Sequence, residues 1–227
     1  MIAPTIVFDL DGTLVDTAPD LLDSLNHCLA SEGLEPVKAD ELRRFVGMGG
    51  RVMIQRAYAA HRRALDERML DRLLEIFLEH YTAGIPGRSL PYPGILEALD
   101  RFEGAGYRMA VCTNKLERLS QGLIGALKLA PRFGAVCGAD TFAFRKPDPR
   151  HLVETILKAG GNPQNSIMVG DSRTDIDTAK AAGIPVVAVD FGYTDRHVSE
   201  FEPSHVISHY DEFTLDLAER LISAAAR

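Results

Sequence analysis

The sequence predicts an α/β fold, a doubly wound, Rossmann-like parallel sheet carrying an inserted helical cap. Three observations predict it. Short, continuously apolar runs recur along the chain, as in strands covered on both faces. Between them lie stretches whose apolar residues follow helical spacing. The two patterns alternate except in residues 17–84, where no convincing strand is found.

The strand-like runs are TIVFD (5–9), RMAVCT (108–113), AVCGAD (135–140), SIMVGD (166–171) and PVVAVD (185–190). After the first run, Ala18, Leu21, Leu22, Leu25 and Leu29 form an apolar stripe. Leu42, Phe45 and Val46 form a short second stripe, and Met69, Leu70, Leu73, Phe77, Leu78 and Tyr81 a long third. This is far more chain than a crossover needs. It reads as a helical cap of residues 16–85 set into a core made of residues 1–15 and 86–227. IPGRSLPYP (85–93) reads as the return linker. The core helices follow. In 94–104 the apolar set is Ile95, Leu96, Leu99 and Phe102, ended by Gly104 and Gly106. In 115–129 it is Leu116, Leu119, Leu123, Ile124 and Leu127. In 148–159 Asp148 is the N-cap and Pro149 the first helical residue, with Gly160 and Gly161 after the end.

The 227 residues are 46% hydrophobic, enough for one good core and a smaller insert. The net charge of -7, without any run of Lys or Arg, argues against nucleic acid or an anionic membrane as partner. No apolar run is long enough to span a bilayer, and MIAPTIVFDLDG lacks the basic start of a signal peptide. Cys28, Cys112 and Cys137 form no CxxC pair and read as reduced core thiols of a cytoplasmic protein. Monomer and homodimer are both compatible with the sequence.

The apolar runs stop at Asp9, Thr113, Asp140, Asp171 and Asp190. Open α/β sheets bind ligands beyond the carboxyl ends of their strands, so these residues should meet at one edge. Asp9 and Asp11 are two apart and can address one spot. Two bare carboxylates there need a proton or a cation between them. Gly12 frees the backbone to turn and approach a ligand, although Asp-Gly alone is equally a plain turn. In GDSRTDIDTAKAAG (170–183), Asp171 follows a strand directly and Asp175 falls near a helix start. Each is either a helix-capping acid or part of a cation site. Asp177 reads as a surface residue. Oxygen ligands without His or Cys clusters favour Mg²⁺ over zinc. Thr113 and Asn114 precede a helix, where they either cap it or bind phosphate. Lys146, in FRKPDP, is a loop lysine whose reach the spacing leaves open.

These stretches, in this order, resemble the haloacid dehalogenase superfamily of phosphatases. DLDGT (9–13) is similar to its first motif, TN (113–114) to the second, RKPDP (145–149) to the third and GDSRTD (170–175) to the fourth. The resemblance spans about residues 5–190. It implies that Asp9 is the nucleophile, forming an aspartyl phosphate. It implies that Asp11 protonates the leaving group and then activates water. Thr113, with the N–H groups of Gly12 and Asn114, would hold the phosphoryl oxygens, and Lys146 would pair with the phosphoryl group and Asp9. Mg²⁺ would be held by Asp9, the Asp11 carbonyl and Asp171, with Asp175 close by. The partner would be a small phosphorylated metabolite.

The cap placement resembles the branch that holds phosphoglycolate phosphatases, pyrophosphatases and β-phosphoglucomutases. DLDGTLVDTAPDL with TNK (113–115) is most similar to the first of these, although Leu116 stands where that branch usually has Pro. In VGMGGR (46–51), Arg51 is either a surface residue on a helix connection or a forked partner for a substrate carboxylate. A response-regulator receiver also uses an acidic cluster with a Thr and a Lys, but its compact domain has no place for residues 17–84.

Overall fold

A computed structural model of the chain describes residues 3–38, 49–194 and 196–225. The apolar runs form strands β1 (Thr5–Phe8), β4 (Arg108–Cys112), β5 (Ala135–Cys137), β6 (Ser166–Gly170) and β7 (Val186–Val189), joined by β8 (His205–Ile207). They make a six-stranded sheet in the order β5-β4-β1-β6-β7-β8, and every pairing is parallel. β1 lies at the centre, and the chain builds outward from it first on one side and then on the other. That reversal leaves a crevice at the carboxyl end of β1. Each strand stops one residue or more short of the polar residue expected to end it.

Alternate residues of each strand enter two separate cores. Ile6, Phe8, Met109, Val111, Ile167 and Val169 pack on one face beneath helices α4 (Ile95–Gly104), α5 (Glu117–Ala126) and α8 (Leu215–Ala225). Val7, Ala110, Cys112 and Met168 pack on the other, beneath α6 (Pro149–Lys158) and α7 (Arg173–Ala181). Burial on both faces explains the unbroken apolar runs. Asp148 caps α6 as expected, its side chain accepting from the Arg150 N–H, with Pro149 next. Cys28, Cys112 and Cys137 are free and buried. No helix among the described residues is long and apolar enough to cross a membrane.

Between β1 and α4 the chain forms α1 (Ala18–Ser31), α2 (Gly50–Ala60) and α3 (Glu67–Gly84). Their inner faces share one cluster, including Leu25, Leu29, Ile54, Tyr58, Leu73 and Phe77. Leu119 and Tyr193 join that cluster from the sheet side. The stripe Leu42, Phe45 and Val46 lies outside the described residues. The two chain segments that connect these helices to the sheet pair with each other. β2 (Val15–Asp16) and β3 (Leu90–Pro91) form an antiparallel ribbon, with Val15 opposite Pro91. These two-residue strands and β8 escape sequence reading because they are too short to show a period.

Candidate active site

Register places the site. Phe8 lies opposite Val111 of β4 and Val169 of β6, so Asp9, Thr113 and Asp171 leave three adjacent strands at the same edge. Asp9, Asp171 and Asp175 each offer an oxygen within 4.8 Å of the others, and all three are buried. The Lys146 ammonium enters from the loop before α6, 3.0 Å from Asp9 Oδ1 and 2.5 Å from Asp175 Oδ1. Asn114 helps hold that loop by donating to the Lys146 carbonyl at 3.0 Å. On the other side, the Lys146 N–H donates to His151 Nδ1 at 3.2 Å.

Asp171 is fixed at both oxygens. Thr13 Oγ1 donates to one at 3.2 Å and the Tyr193 N–H to the other at 2.6 Å. Asp175 has two roles. One oxygen faces Lys146, while the other accepts from the Ser172 N–H and Oγ in a capping box that opens α7. Asp175 thus caps α7 and also stands in the carboxylate cluster beside Lys146. Asp177 is an exposed partner of Arg173, as expected.

The electrostatics follow from burial. Burial pushes the Asp9 carboxyl up to about 6, against the pull of Lys146 and with the push of Asp175 and Asp11. Burial, then Asp175 and Asp9, hold Asp171 well above the usual carboxylate range. Burial alone would lower Lys146, but Asp175 and Asp9 outweigh it and raise the ammonium above its ordinary value. Three carboxylates thus face one ammonium, and a divalent cation would neutralise the two remaining charges. Asp9 Oδ1 is also buried, and the Lys146 ammonium is its one polar contact among the described residues. A buried, all-oxygen donor set with excess negative charge fits Mg²⁺.

Asp11 stands apart from this cluster. Thr17 Oγ1 donates to its Oδ1 at 2.7 Å, and the Lys115 ammonium lies 3.0 and 3.2 Å from its two oxygens. Lys115 is buried and sits 4.2 Å over the ring of Tyr81 on α3. Burial would lower it, but Asp11 and Tyr81 raise it to about 12. Sequence reasoning missed Lys115 as a functional residue. The available signal was a lysine two positions past Thr113, in the strand-to-helix loop at the same sheet edge.

Gly12 adopts φ +84°, and a Cβ there would overlap Asp171 Oδ2. Its place in the site rests on that close approach. Its N–H already donates to the Val15 carbonyl at 3.0 Å, so it is not free to hold a phosphoryl oxygen as the resemblance implied. Thr113 is buried, with its Oγ1 accepting from the Lys115 N–H at 3.2 Å. Two expected edge residues do not join. Asp140 caps α5 by accepting from the Glu117 N–H at 2.7 Å, because β5 ends early at Cys137. Asp190 accepts from Ser208 Oγ at 2.6 Å. Arg51 lies in the first turn of α2, directly after Gly49 and Gly50, and pairs with Glu67 and Asp71 at 2.7 and 2.6 Å on the exposed side.

Comparison with known proteins identifies the family and the fold. The family model described as "Haloacid dehalogenase-like hydrolase" matches residues 6–189. A "Phosphoglycolate phosphatase" of Mesorhizobium japonicum is 68% identical over 99% of this chain and 99% of its own length. One of Agrobacterium fabrum, with the same name, is 52% identical over 99% of this chain and 97% of its own. A crystal structure from Haemophilus somnus 129PT, described as "a predicted phosphoglycolate phosphatase", superposes with a TM-score of 0.86. It is 29% identical and covers 93% of this chain and 96% of its own. The chain belongs to the haloacid dehalogenase-like hydrolase family.

Proposed function

We propose that the chain is a Mg²⁺-dependent phosphatase that hydrolyses 2-phosphoglycolate to glycolate and phosphate through an aspartyl phosphate on Asp9. Phosphatase activity itself follows from the family and from relatives so named. The observation that carries the finer reading is the meeting of Asp9, Asp171, Asp175 and Lys146 beyond the central strand, with Asp11 held separately. In this reading residues 16–85 are a cap over a core of 1–15 and 86–227.

Asp9 attacks phosphorus, and the bond to the ester oxygen breaks. Asp11 gives that oxygen its proton, then takes one from the water that cleaves the aspartyl phosphate. Thr113 and Lys146 hold the phosphoryl oxygens, with Asn114 fixing the Lys146 loop. Asp9, Asp171 and the Asp11 carbonyl, with Asp175 close by, would hold Mg²⁺, which would supply positive charge against the transferring group. A general acid alone gives only ~10²–10⁴-fold, so positioning and charge must carry most of the acceleration.

The test is phosphate release from 2-phosphoglycolate, pyrophosphate, glucose phosphates and ethyl phosphate, with Mg²⁺ and with excess EDTA. Phosphoglycolate should be the preferred substrate, EDTA should abolish turnover, and Asp9→Asn should be inactive. Full turnover in EDTA would refute the mechanism, and preference for another ester would refute the substrate.

A further inference from the structure

We propose that Lys115 and the Tyr81 hydroxyl together bind the carboxylate of the substrate and so set which phosphate esters the enzyme prefers. The inference rests on the phosphoglycolate reading above. An ammonium has three donors, and the two oxygens of Asp11 engage Lys115 at 3.0 and 3.2 Å. Lys115 has no second acidic partner among the described residues. Beside it, the Tyr81 hydroxyl is buried with the Lys115 ammonium as its polar neighbour, and its O–H has no acceptor among the described residues. A buried O–H without an acceptor is unusual and calls for one. A spare ammonium donor and an unpaired hydroxyl donor at one place are matched by an anion.

The reach is right for a carboxylate next to the ester oxygen. The acid that protonates the ester oxygen must come within about 3 Å of it. In phosphoglycolate one methylene joins that oxygen to the carboxylate, so the carboxylate oxygens also lie within roughly 3 Å of it by ordinary bond lengths. A cation 3.0 Å from Asp11 can therefore touch Asp11 and the substrate carboxylate together. Arg51, the cation the sequence offered for this task, is paired with Glu67 and Asp71. Lys115 comes from the sheet edge and Tyr81 from α3, so the two parts of the chain close on the substrate's acidic end.

The experiment measures kcat/KM for 2-phosphoglycolate and for ethyl phosphate, which lacks the carboxylate, in the presence of Mg²⁺. The readout is the ratio of the two, so a loss shared through Asp11 cancels. In Lys115→Met the ratio should fall about 10- to 100-fold, through KM for phosphoglycolate, as expected for losing a hydrogen bond to a charged group. In Tyr81→Phe it should fall several-fold. Circular dichroism checks folding. If Lys115→Met does not fold, Tyr81→Phe, which loses one atom, decides by the same ratio. Variants that lose activity on both esters equally would overturn the inference, leaving Lys115 as a positioning residue for Asp11. A wild-type enzyme without preference for phosphoglycolate would overturn the substrate reading first, and this inference with it.

Discussion

Lys146→Met removes the one ammonium from a site with three buried carboxylates. Lys146 is 3% exposed, so no solvent replaces it. Breaking a buried pair by deleting one partner costs about 3–5 kcal/mol, because the other charge stays buried. In a chain of this length that corresponds to a fall in Tm of roughly 6–20 °C. The cost should depend on pH in a definite direction. Asp9 already titrates at about 6 with Lys146 in place, and Lys146 is an influence that lowers it. Without Lys146 the folded carboxyl takes up its proton more readily still. At pH 5 the folded variant can protonate Asp9 and shed the uncompensated charge, whereas at pH 7.5 it must keep it or bind a proton against the solvent. Thermal unfolding of both proteins in EDTA should therefore show a large gap at pH 7.5 and a smaller one at pH 5. An equal gap at both pH values, or none at pH 7.5, would refute the charge accounting. Turnover with Mg²⁺ should also fall by 10³-fold or more on the proposed mechanism.

Mg²⁺ should raise Tm by about 5–11 °C at a hundredfold excess over its Kd. The rise should grow from pH 5 to pH 7.5, since below about 6 a proton on Asp9 competes with the ion; a shift larger at pH 5 would contradict the raised Asp9. Gly12→Ala forces a side chain into a left-handed φ and onto Asp171. It should cost about 2 kcal/mol or more in denaturant unfolding and ~10²-fold in kcat/KM, and wild-type values would show that the turn has room. Asp177→Ala loses only an exposed pair with Arg173. Its stability should stay within about 0.5 kcal/mol of wild type and its kinetics unchanged.

The parts of this fold that repeat are legible in the sequence. Five apolar runs mark five of the six sheet strands because both faces of the sheet are buried, and the start of α6 is written in Asp148 and Pro149. The candidate site is legible at Asp9, Asp171 and Lys146 because the resemblance ties together residues that the chain separates. Spacing alone could not have given Lys146 its reach, since the loop is positioned by Asn114 and His151. Asp140 shows the opposite failure. It ends an apolar run as Asp171 does, but β5 has only three residues and turns away before reaching the site. Lys115 and Tyr193 stayed hidden for a shared reason. Their partners, Asp11 and Asp171, lie more than a hundred and about twenty residues away respectively, and no local pattern encodes such contacts.

The site divides into two charge groups that the fold assembles differently. Asp9, Asp171, Asp175 and Lys146 are all supplied by β1, β6 and the loops and helix beside them. Nothing from α1, α2 or α3 touches their carboxylates among the described contacts. Asp11 is held by Thr17, the N-cap of α1, and by Lys115, which rests on Tyr81 of α3. The proposed nucleophile, Asp9, is thus placed by β1 and the Lys146 loop, while the proposed proton donor is placed jointly with the helices. A change in the helices' position would act on Asp11 and Lys115 through their contacts with α1 and α3, and on Asp171 through Tyr193, whose hydroxyl accepts from the Ala18 N–H. In the proposed enzyme Lys115 therefore both admits the substrate's acidic end and sets the acid in place, while Asp9 is reached from the helices only indirectly, through Tyr193 and Asp171.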